Sequence, residues 1–301
     1  MGRAPKVGII ILHWDSPEDT FNCIRSIQAL DYPDYRAIVV DNSGSDGAEW
    51  LSEYREALTY LPAGKNLGYA VGNNVGIAFA LSNGCEYVWL VNDDITSDPD
   101  SLSVLVEAAQ AEPKAGFLGP KVLIRESPNR ILSAGGIFER NRLAGHRGIG
   151  EFDQGQVDEV EEVDFLSGSA LLVTRRAIET IGMLDEDFFA YQEDVEWCCR
   201  GRAAGFKVIY VPRARVWHPD TRWRDAASPL VTYYIARNSL LFARKARLGR
   251  RTLARVFVGH IRTLISWSIR PKWRTKRKQR DALALGLVDF VAGRFGAREL
   301  Q

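Results

Sequence analysis

The apolar run Val88-Trp89-Leu90-Val91 stops abruptly on Asn92-Asp93-Asp94, and that change constrains the chain more than any other stretch. A short run rich in β-branched and aromatic residues reads as a buried strand. Carboxylates at its carboxyl end lie where ligands gather in an open α/β sheet. Adjacent acids there suit a hard divalent cation, which takes oxygen ligands and bridges to substrate phosphates. The same residues also serve as a solvated turn, because Asn and Asp readily hydrogen-bond their own backbone.

The flanking pattern supplies the rest of such a sheet. Residues 7–12 form an apolar run of strand length, and Ser16-Pro17-Glu18-Asp19 then offers a helix cap, a first-turn proline and early acids for a helix to Leu30. Residues 35–40 give a second strand that ends on Asp41 and a polar loop. A short strand at 58–61 leads into Lys65-Asn66-Leu67-Gly68-Tyr69 and a helix to Leu81. Strands alternating with helices predict a doubly wound, mostly parallel α/β sheet. Further strands are expected at 116–119, 131–138 and 207–211, with helices at about 98–111, 175–181 and 193–204. Residues 139–162, glycine-rich and then acidic, read either as a substrate lid or as a plain surface excursion.

Composition divides the molecule. A length of 301 residues with 46% hydrophobic side chains is enough for a full core. Residues 226–280 hold 15 Lys and Arg and no acid, leaving 24 basic against 38 acidic residues elsewhere. That asymmetry predicts a catalytic domain over 1–225 and a basic helical extension over 226–301. Cys23, Cys85, Cys198 and Cys199 have neither metal-ligand spacing nor the look of a disulfide framework, which fits a reducing cytoplasm. No apolar run has the length of a spanning helix. No nucleic-acid recognition motif accompanies the basic cluster, and no Gly-x-Gly-x-x-Gly follows the first strand.

Taken in order, the Asp41 loop, the glycine- and asparagine-rich segment 65–76, Asn92-Asp93-Asp94, Glu193-Asp194 and His218 resemble the inverting family 2 glycosyltransferases of GT-A fold, most closely their rhamnosyltransferase-like branch. The likeness runs from about Val7 to Asn238. Where that family has a Thr-Tyr-Asn-like tripeptide after the first strand, this chain has His13-Trp14-Asp15. The resemblance implies that Asp41 hydrogen-bonds the donor's pyrimidine and that Asn66 and Gly68 lie along the nucleotide. It also implies that Asp94 holds a divalent cation, Mn²⁺ or Mg²⁺, with His218 as a second ligand. Mixed oxygen and imidazole ligation suits either ion. Asp93 then faces the ribose or supports the metal ligands. Asp194 is the implied general base, because an inverting transfer needs one carboxylate to take the acceptor hydroxyl's proton. Glu193 and Trp197 are the implied acceptor or sugar contacts, although an acidic pair also simply stabilises a helix N-terminus.

These implications amount to a transferase that moves a sugar, with L-rhamnose from dTDP-rhamnose the expected donor, onto a glycan or lipid-linked acceptor. A UDP-hexose or UDP-galactofuranose transferase is the alternative within the class, and a catalytically silent nucleotide- or glycan-binding protein the alternative outside it. In the extension, residues 229–246 and 252–269 read as helices, and Leu253, Phe257, Ile261 and Leu264 gather on one side of the second, opposite Arg255 and Arg262. A basic amphipathic helix predicts attachment to an anionic membrane surface, at the inner face of the cytoplasmic membrane, or packing against the catalytic domain or a second subunit.

Overall fold

The computed structural model describes residues 3–44, 49–54, 56–138, 143–221 and 228–298. Its centre is a ten-stranded sheet. The strands β1 (Val7–His13), β2 (Tyr35–Asp41), β3 (Thr59–Pro62) and β4 (Tyr87–Asn92) are parallel, and β1 lies between β2 and β4. Short β5 (Thr96–Ser97) follows. The sheet continues through β6 (Ala115–Ile124), with β7 (Ser127–Ser133) on its edge, while β8 (Gly136–Ile137) and β9 (Gly145–His146) pair separately. Then come β10 (Glu161–Glu162), β11 (Ala170–Thr174) and β12 (Lys207–His218). β11 is antiparallel between β4 and β6, whereas β12 runs parallel to β6. The doubly wound, mostly parallel sheet expected from the alternating pattern is therefore present.

Both faces of the sheet are covered. In β1, Ile10 and Leu12 point into one core and Val7, Ile9 and Ile11 into the other, the period-two alternation of a strand buried on both sides. Helices α1 (Pro17–Gln28) and α3 (Ser101–Ala111) cover one face, and α2 (Gly68–Ser82), α4 (Arg175–Ile181) and α5 (Glu193–Ala203) the other. Ser16 caps α1 as its sequence predicts, accepting the Asp19 N–H, with Pro17 in the first turn. Close approach of α2 to β1 requires glycine at position 76, where a Cβ would stand 2.6 Å from Ile10 Cγ2.

Several expectations need correction. The strand expected at 116–119 is a ten-residue element, buried throughout, because Lys121 in its middle is neutralised by Asp153 and Asp158. The single strand expected at 131–138 is two pieces, separated at Gly135, whose φ of +81° breaks the extended run. The excursion is pinned over its described part: Ile131 and Glu151 share backbone hydrogen bonding, Lys121 holds Asp153 and Asp158, and Arg147 pairs with Glu161 at 2.8 Å. Residues 139–142 lie outside the described part.

The carboxyl-terminal segment forms α6 (Pro229–Lys245), α7 (Arg250–Ile269) and α8 (Arg277–Val291), the last hidden in the sequence by its basic first turn. The expected 225/226 boundary lies outside the described residues, but α6 places Leu241 and Phe242 in the sheet's own core. The other side of α6 packs Ala236 and Leu240 against Leu283 and Leu287 of α8. The apolar stripe of α7 (Leu253, Phe257, Ile261 and Leu264) packs on that cluster, so it is covered within the chain rather than offered to a bilayer. Among the described residues no helix is long and apolar enough to cross a membrane.

Candidate active site

Strands β4 and β12 bring the implied metal ligands together. β12 pairs antiparallel with β5 just after the Asp93-Asp94 turn, and its last residue, His218, therefore comes back over the end of β4. His218 Nδ1 lies 2.7 Å from the Pro219 carbonyl oxygen, which can only accept, so Nδ1 carries the proton. In the neutral ring, Nε2 then presents a lone pair 3.3 Å from Asp94 Oδ1, with Asn92 Nδ2 at 3.4 Å. Asp94 Oδ1 is buried and has no hydrogen-bond partner among the described residues. Burial, with the Asp93 charge adding to it, raises the Asp94 carboxyl above its usual range against the opposing pull of His218 and Arg125. An unsatisfied oxygen and an imidazole nitrogen whose neighbours are that oxygen and the more distant Asn92 amide, facing one another, fit a divalent cation. Among the described residues no group of three or more His, Cys, Asp or Glu is placed to hold an ion, so the remaining ligands would have to come from diphosphate oxygens or water.

Asp93 does different work. Its Oδ2 accepts the Trp14 N–H at 3.0 Å and the Thr20 hydroxyl at 3.3 Å, with His13 Nδ1 at 3.5 Å. It thereby ties the end of β4 to the β1–α1 turn. Arg125, just past β6, closes the same group, donating to Asp19 Oδ1 at 3.3 Å and to the Asp94 backbone carbonyl.

Asp41, at the end of β2, is buried with both oxygens engaged. Oδ1 accepts from the Ser43 N–H at 3.0 Å and its hydroxyl at 2.6 Å, and Oδ2 from the Tyr60 hydroxyl at 2.7 Å. Burial works to raise its pKa, but these hydrogen bonds prevail and hold it below the ordinary value. Asn66 Oδ1 accepts from the Gly68 N–H at 2.8 Å and from Asn42 Nδ2 at 3.2 Å. Asn42 in turn accepts the Leu67 N–H at 2.8 Å, which knits the 66–68 turn to the end of β2. Gly68 has a φ of +79°, and a Cβ there would fall 2.4 Å from the Phe189 ring and 2.6 Å from its carbonyl oxygen. No other residue fits this position.

Asp194 stands in the first turn of α5, half-buried. Its Oδ1 accepts the Val195 N–H and its Oδ2 the Gly168 N–H, each at 2.8 Å. The next residue, Ser169, accepts the Asn92 N–H through its carbonyl at 3.0 Å, so two consecutive residues join Asp194 to the strand end that carries Asp94. Burial raises Asp194 above the usual carboxylate range against those backbone donors and His146. Burial raises the adjacent Glu193 much further, with the Asp194 charge adding to it. Trp197, expected at a sugar-binding surface, is 0% exposed, donates its indole N–H to Gly182 O and packs edge-on against Phe117. Its ring belongs to the core, as one helical turn beyond Glu193 on the inward side of α5 requires.

A family model described as glycosyltransferase-like family 2 matches residues 5–229. The chain belongs to the family 2 glycosyltransferases. Over 272 residues it is 31% identical to N-acetylglucosaminyl-diphospho-decaprenol L-rhamnosyltransferase of Mycobacterium tuberculosis, an alignment spanning 83% of this chain and 88% of that protein. It is 26% identical to the dTDP-rhamnosyl transferase RfbF of Shigella flexneri, with 69% and 70% covered. In structure it superimposes on a mannosyltransferase of Pyrobaculum calidifontis in complex with GDP-Man and Mn²⁺. The TM-score is 0.56 at 16% identity, over 96% of this chain and 88% of that one. The fold is that of the GT-A glycosyltransferases.

Within this glycosyltransferase, some polar residues at the strand ends escape a reading by motif. Arg125 follows an apolar run and carries no local signal; only its reach across to Asp19 and Asp94 reveals it. Asn42 is one of many turn-forming residues in its loop, yet it is buried and organises the Asn66–Gly68 turn. His146, which hydrogen-bonds the Ser133 hydroxyl at 2.9 Å, lies in the excursion, and its electrostatic pairing with Asp194 depends on tertiary structure.

Proposed function

We propose that this glycosyltransferase is a metal-assisted inverting rhamnosyltransferase that takes L-rhamnose from dTDP-rhamnose and delivers it to a glycan or lipid-linked acceptor. The observation that carries the reading is the opposition of His218 Nε2 and the orphaned Asp94 Oδ1 at the carboxyl edge of the sheet. The donor sugar is supported by the names of the two rhamnosyltransferase relatives, and the dTDP carrier by one of them.

In this reading Asp94 and His218 hold the cation, which when bound neutralises the charge that gathers on the departing diphosphate. Asp41, Asn66 and Gly68 line the nucleoside, and Asp93 fixes the strand end that carries Asp94. Asp194 accepts the acceptor hydroxyl's proton as that oxygen bonds to the anomeric carbon. The bond from carbon to the diphosphate oxygen breaks on the opposite face, and its electron pair leaves with the nucleotide. The configuration therefore inverts. Glu193, buried beside the base, is held toward its neutral form by burial and by the Asp194 charge.

Membrane attachment, in this reading, uses the outward side of α7 and the turn after it. Val258, Ile265 and Ile269 are 45%, 51% and 71% exposed, and they share that side with Arg251 and Arg262. A groove of ≈ 430 Å³ at the end of the helix is lined by Arg270, Arg274, Arg277 and Arg280 beside Trp267. Exposed aliphatic side chains among arginines complement an anionic leaflet.

The donor assignment is tested by thermal shift with dTDP and UDP, each with Mn²⁺, followed by mass spectrometry of products from dTDP-rhamnose, UDP-hexoses and UDP-galactofuranose. Stabilisation by dTDP and turnover of dTDP-rhamnose are expected. Preference for UDP and a UDP-sugar would assign the chain to the hexosyl or galactofuranosyl alternative, and nucleotide binding without turnover of any donor would make it a binding protein.

A further inference from the structure

The segment that leads into Asp194 is unusual for its backbone. Phe189, Tyr191 and Gln192 have φ of +64°, +70° and +75°, a left-handed region that side chains bearing a Cβ rarely occupy. Such conformations persist only where the surroundings over-determine them. The surroundings here are two consecutive residues of α6, about fifty positions later in the chain. Asn238, 0% exposed, aims its Nδ2 at three carbonyl oxygens, those of Phe188 at 2.8 Å, Ala190 at 2.7 Å and Tyr191 at 2.9 Å. Its two amide hydrogens are thus shared among three acceptors. Arg237, 1% exposed, donates from Nη2 to the Asp187 and Phe188 carbonyls at 3.2 and 3.0 Å, and from Nε to Asn238 Oδ1 at 2.9 Å. Farther along the same helix, Lys245 binds the carboxylates of Asp185 and Asp187.

The Arg237 side chain is itself fixed from α8 and beyond. Its Nη1 donates to Gly296 O at 2.7 Å, and it lies 3.3 Å from the Tyr233 hydroxyl, which donates to the buried Asp289 carboxylate at 2.8 Å. Tyr234 stacks on Phe189 with ring centres 5.0 Å apart. Because the Phe188, Ala190 and Tyr191 carbonyls all turn toward α6, the Phe189 carbonyl turns the other way and accepts the Ala70 N–H at 3.1 Å. The segment is therefore gripped on one side by α6 and seated on α2 on the other, and α5 starts directly from it.

We propose that Arg237 and Asn238 are positioning residues for sugar transfer, a carbonyl clamp that sets the 187–192 backbone and thereby aims the Asp194 carboxylate at the acceptor hydroxyl. The inference rests on the reading of Asp194 as the base. It assigns a catalytic purpose to a carboxyl-terminal helix that contributes no side chain to the strand-end cluster. It also explains why a buried amide directs its nitrogen, and a buried guanidinium its Nη2, to backbone oxygens of one short loop: a neutral carbonyl array can be held in an unfavourable geometry only by donors supplied from outside it.

The test uses the full chain with Asn238→Ala and, as the milder change, Arg237→Lys, which keeps the charge but loses the planar fork. Turnover per folded molecule should fall about 10- to 100-fold in Asn238→Ala, the scale of a base misplaced by about an ångström. The decrease should be smaller for Arg237→Lys. The dissociation constant for dTDP with Mn²⁺ should change much less than turnover, because the 66–68 turn, although Gly68 touches Phe189, is also held by Asn42. A clamp with a purely structural role would lower the melting temperature and leave turnover per folded molecule unchanged, and that result overturns the proposal. If Asn238→Ala does not fold, the same comparison is made on Arg237→Lys alone. Asp194→Asn run in parallel separates the two claims: near-normal turnover there removes the base reading, whereas lost turnover there with unchanged Asn238→Ala and Arg237→Lys removes only the clamp.

Discussion

His218 Nε2 and Asp94 Oδ1 face each other at 3.3 Å, and the proton of the imidazole is on the far nitrogen, committed to the Pro219 carbonyl. Two acceptors at that separation repel unless a proton or a cation lies between them. Asp94→Ala should therefore lower transfer by about 10²–10³-fold, the usual effect of removing one preorganised electrostatic partner of a leaving oxyanion. It should also abolish the Mn²⁺ dependence of nucleotide binding while leaving the circular dichroism spectrum intact. His218→Ala should retain activity that recovers at raised Mn²⁺. Unaltered metal titration in both variants would remove the pair from the metal site.

Asp194→Asn preserves shape but cannot take a proton, so turnover should fall by about 10²–10⁴. The amide keeps an oxygen for only one of the Gly168 and Val195 N–H groups and sets its NH2 against the other, so a lowered melting temperature is expected as well and turnover is compared per folded molecule. Calorimetric titration with dTDP and Mn²⁺ should give near-normal affinity. Loss of donor binding in proportion to turnover would move Asp194 into the donor site.

Glu193 carries a pH signature. Burial first, and then the Asp194 charge, raise its folded-state pKa well above the ordinary value of 4.5. Below that ordinary value both folded and unfolded chains hold the proton, and the fold suffers no penalty. As the pH rises toward the folded value, only the unfolded chain releases the proton, so this contribution to stability is lost progressively. Glu193→Gln cannot ionise and should flatten the decline of melting temperature with pH above about 4.5, a figure set by the ordinary carboxylate range. Identical slopes for the two proteins would show that Glu193 is hydrated.

The full chain should cosediment with anionic but not neutral vesicles, and high salt should release it, since the attraction is screened beyond about 10 Å at 0.1 M. Ile265→Asp with Ile269→Asp should weaken binding without lowering turnover on a water-soluble acceptor. Ile261, one turn before Ile265, is packed against the α6–α8 cluster, so Ile261→Asp should instead lower the melting temperature by destabilising the helical extension. Equal recovery of the wild type in both supernatants would leave the outward side of α7 to a second copy of the chain.

Much of this architecture is legible in the sequence because its signals are local. The apolar runs of β1, β2 and β4 each end on polar residues, and Ser16-Pro17 caps α1 within four residues. What is not legible depends on neighbours distant in the chain. Pro120-Lys121 looks like the end of a strand until Asp153 and Asp158 supply the counter-charge. Trp197 looks like a sugar platform until α5 is seen to turn it inward against Phe117. Family resemblance pairs Asp94 with His218, but their separation comes from strands β4, β5 and β12. The α7 stripe reads as amphipathic, yet periodicity does not say which apolar surface covers it.

Strand β12 does not track β6 evenly. Val211 lies opposite Pro120 and Arg215 opposite Lys121, so residues 212–214 have no counterparts on the neighbouring strand. Side chains alternate sides along a strand, and each residue advances the chain by about 3.3 Å. The length of that insertion is consequently a parity device as well as a spacer. Removing one residue would turn His218 toward the opposite side of the sheet and draw it back from Asp94, whereas removing two would restore its side but leave it short. The proposed metal-binding histidine is thus specified by a count of residues in a strand irregularity some distance before it, a constraint that substitutions along β12 would not disclose and that only insertions and deletions can reveal.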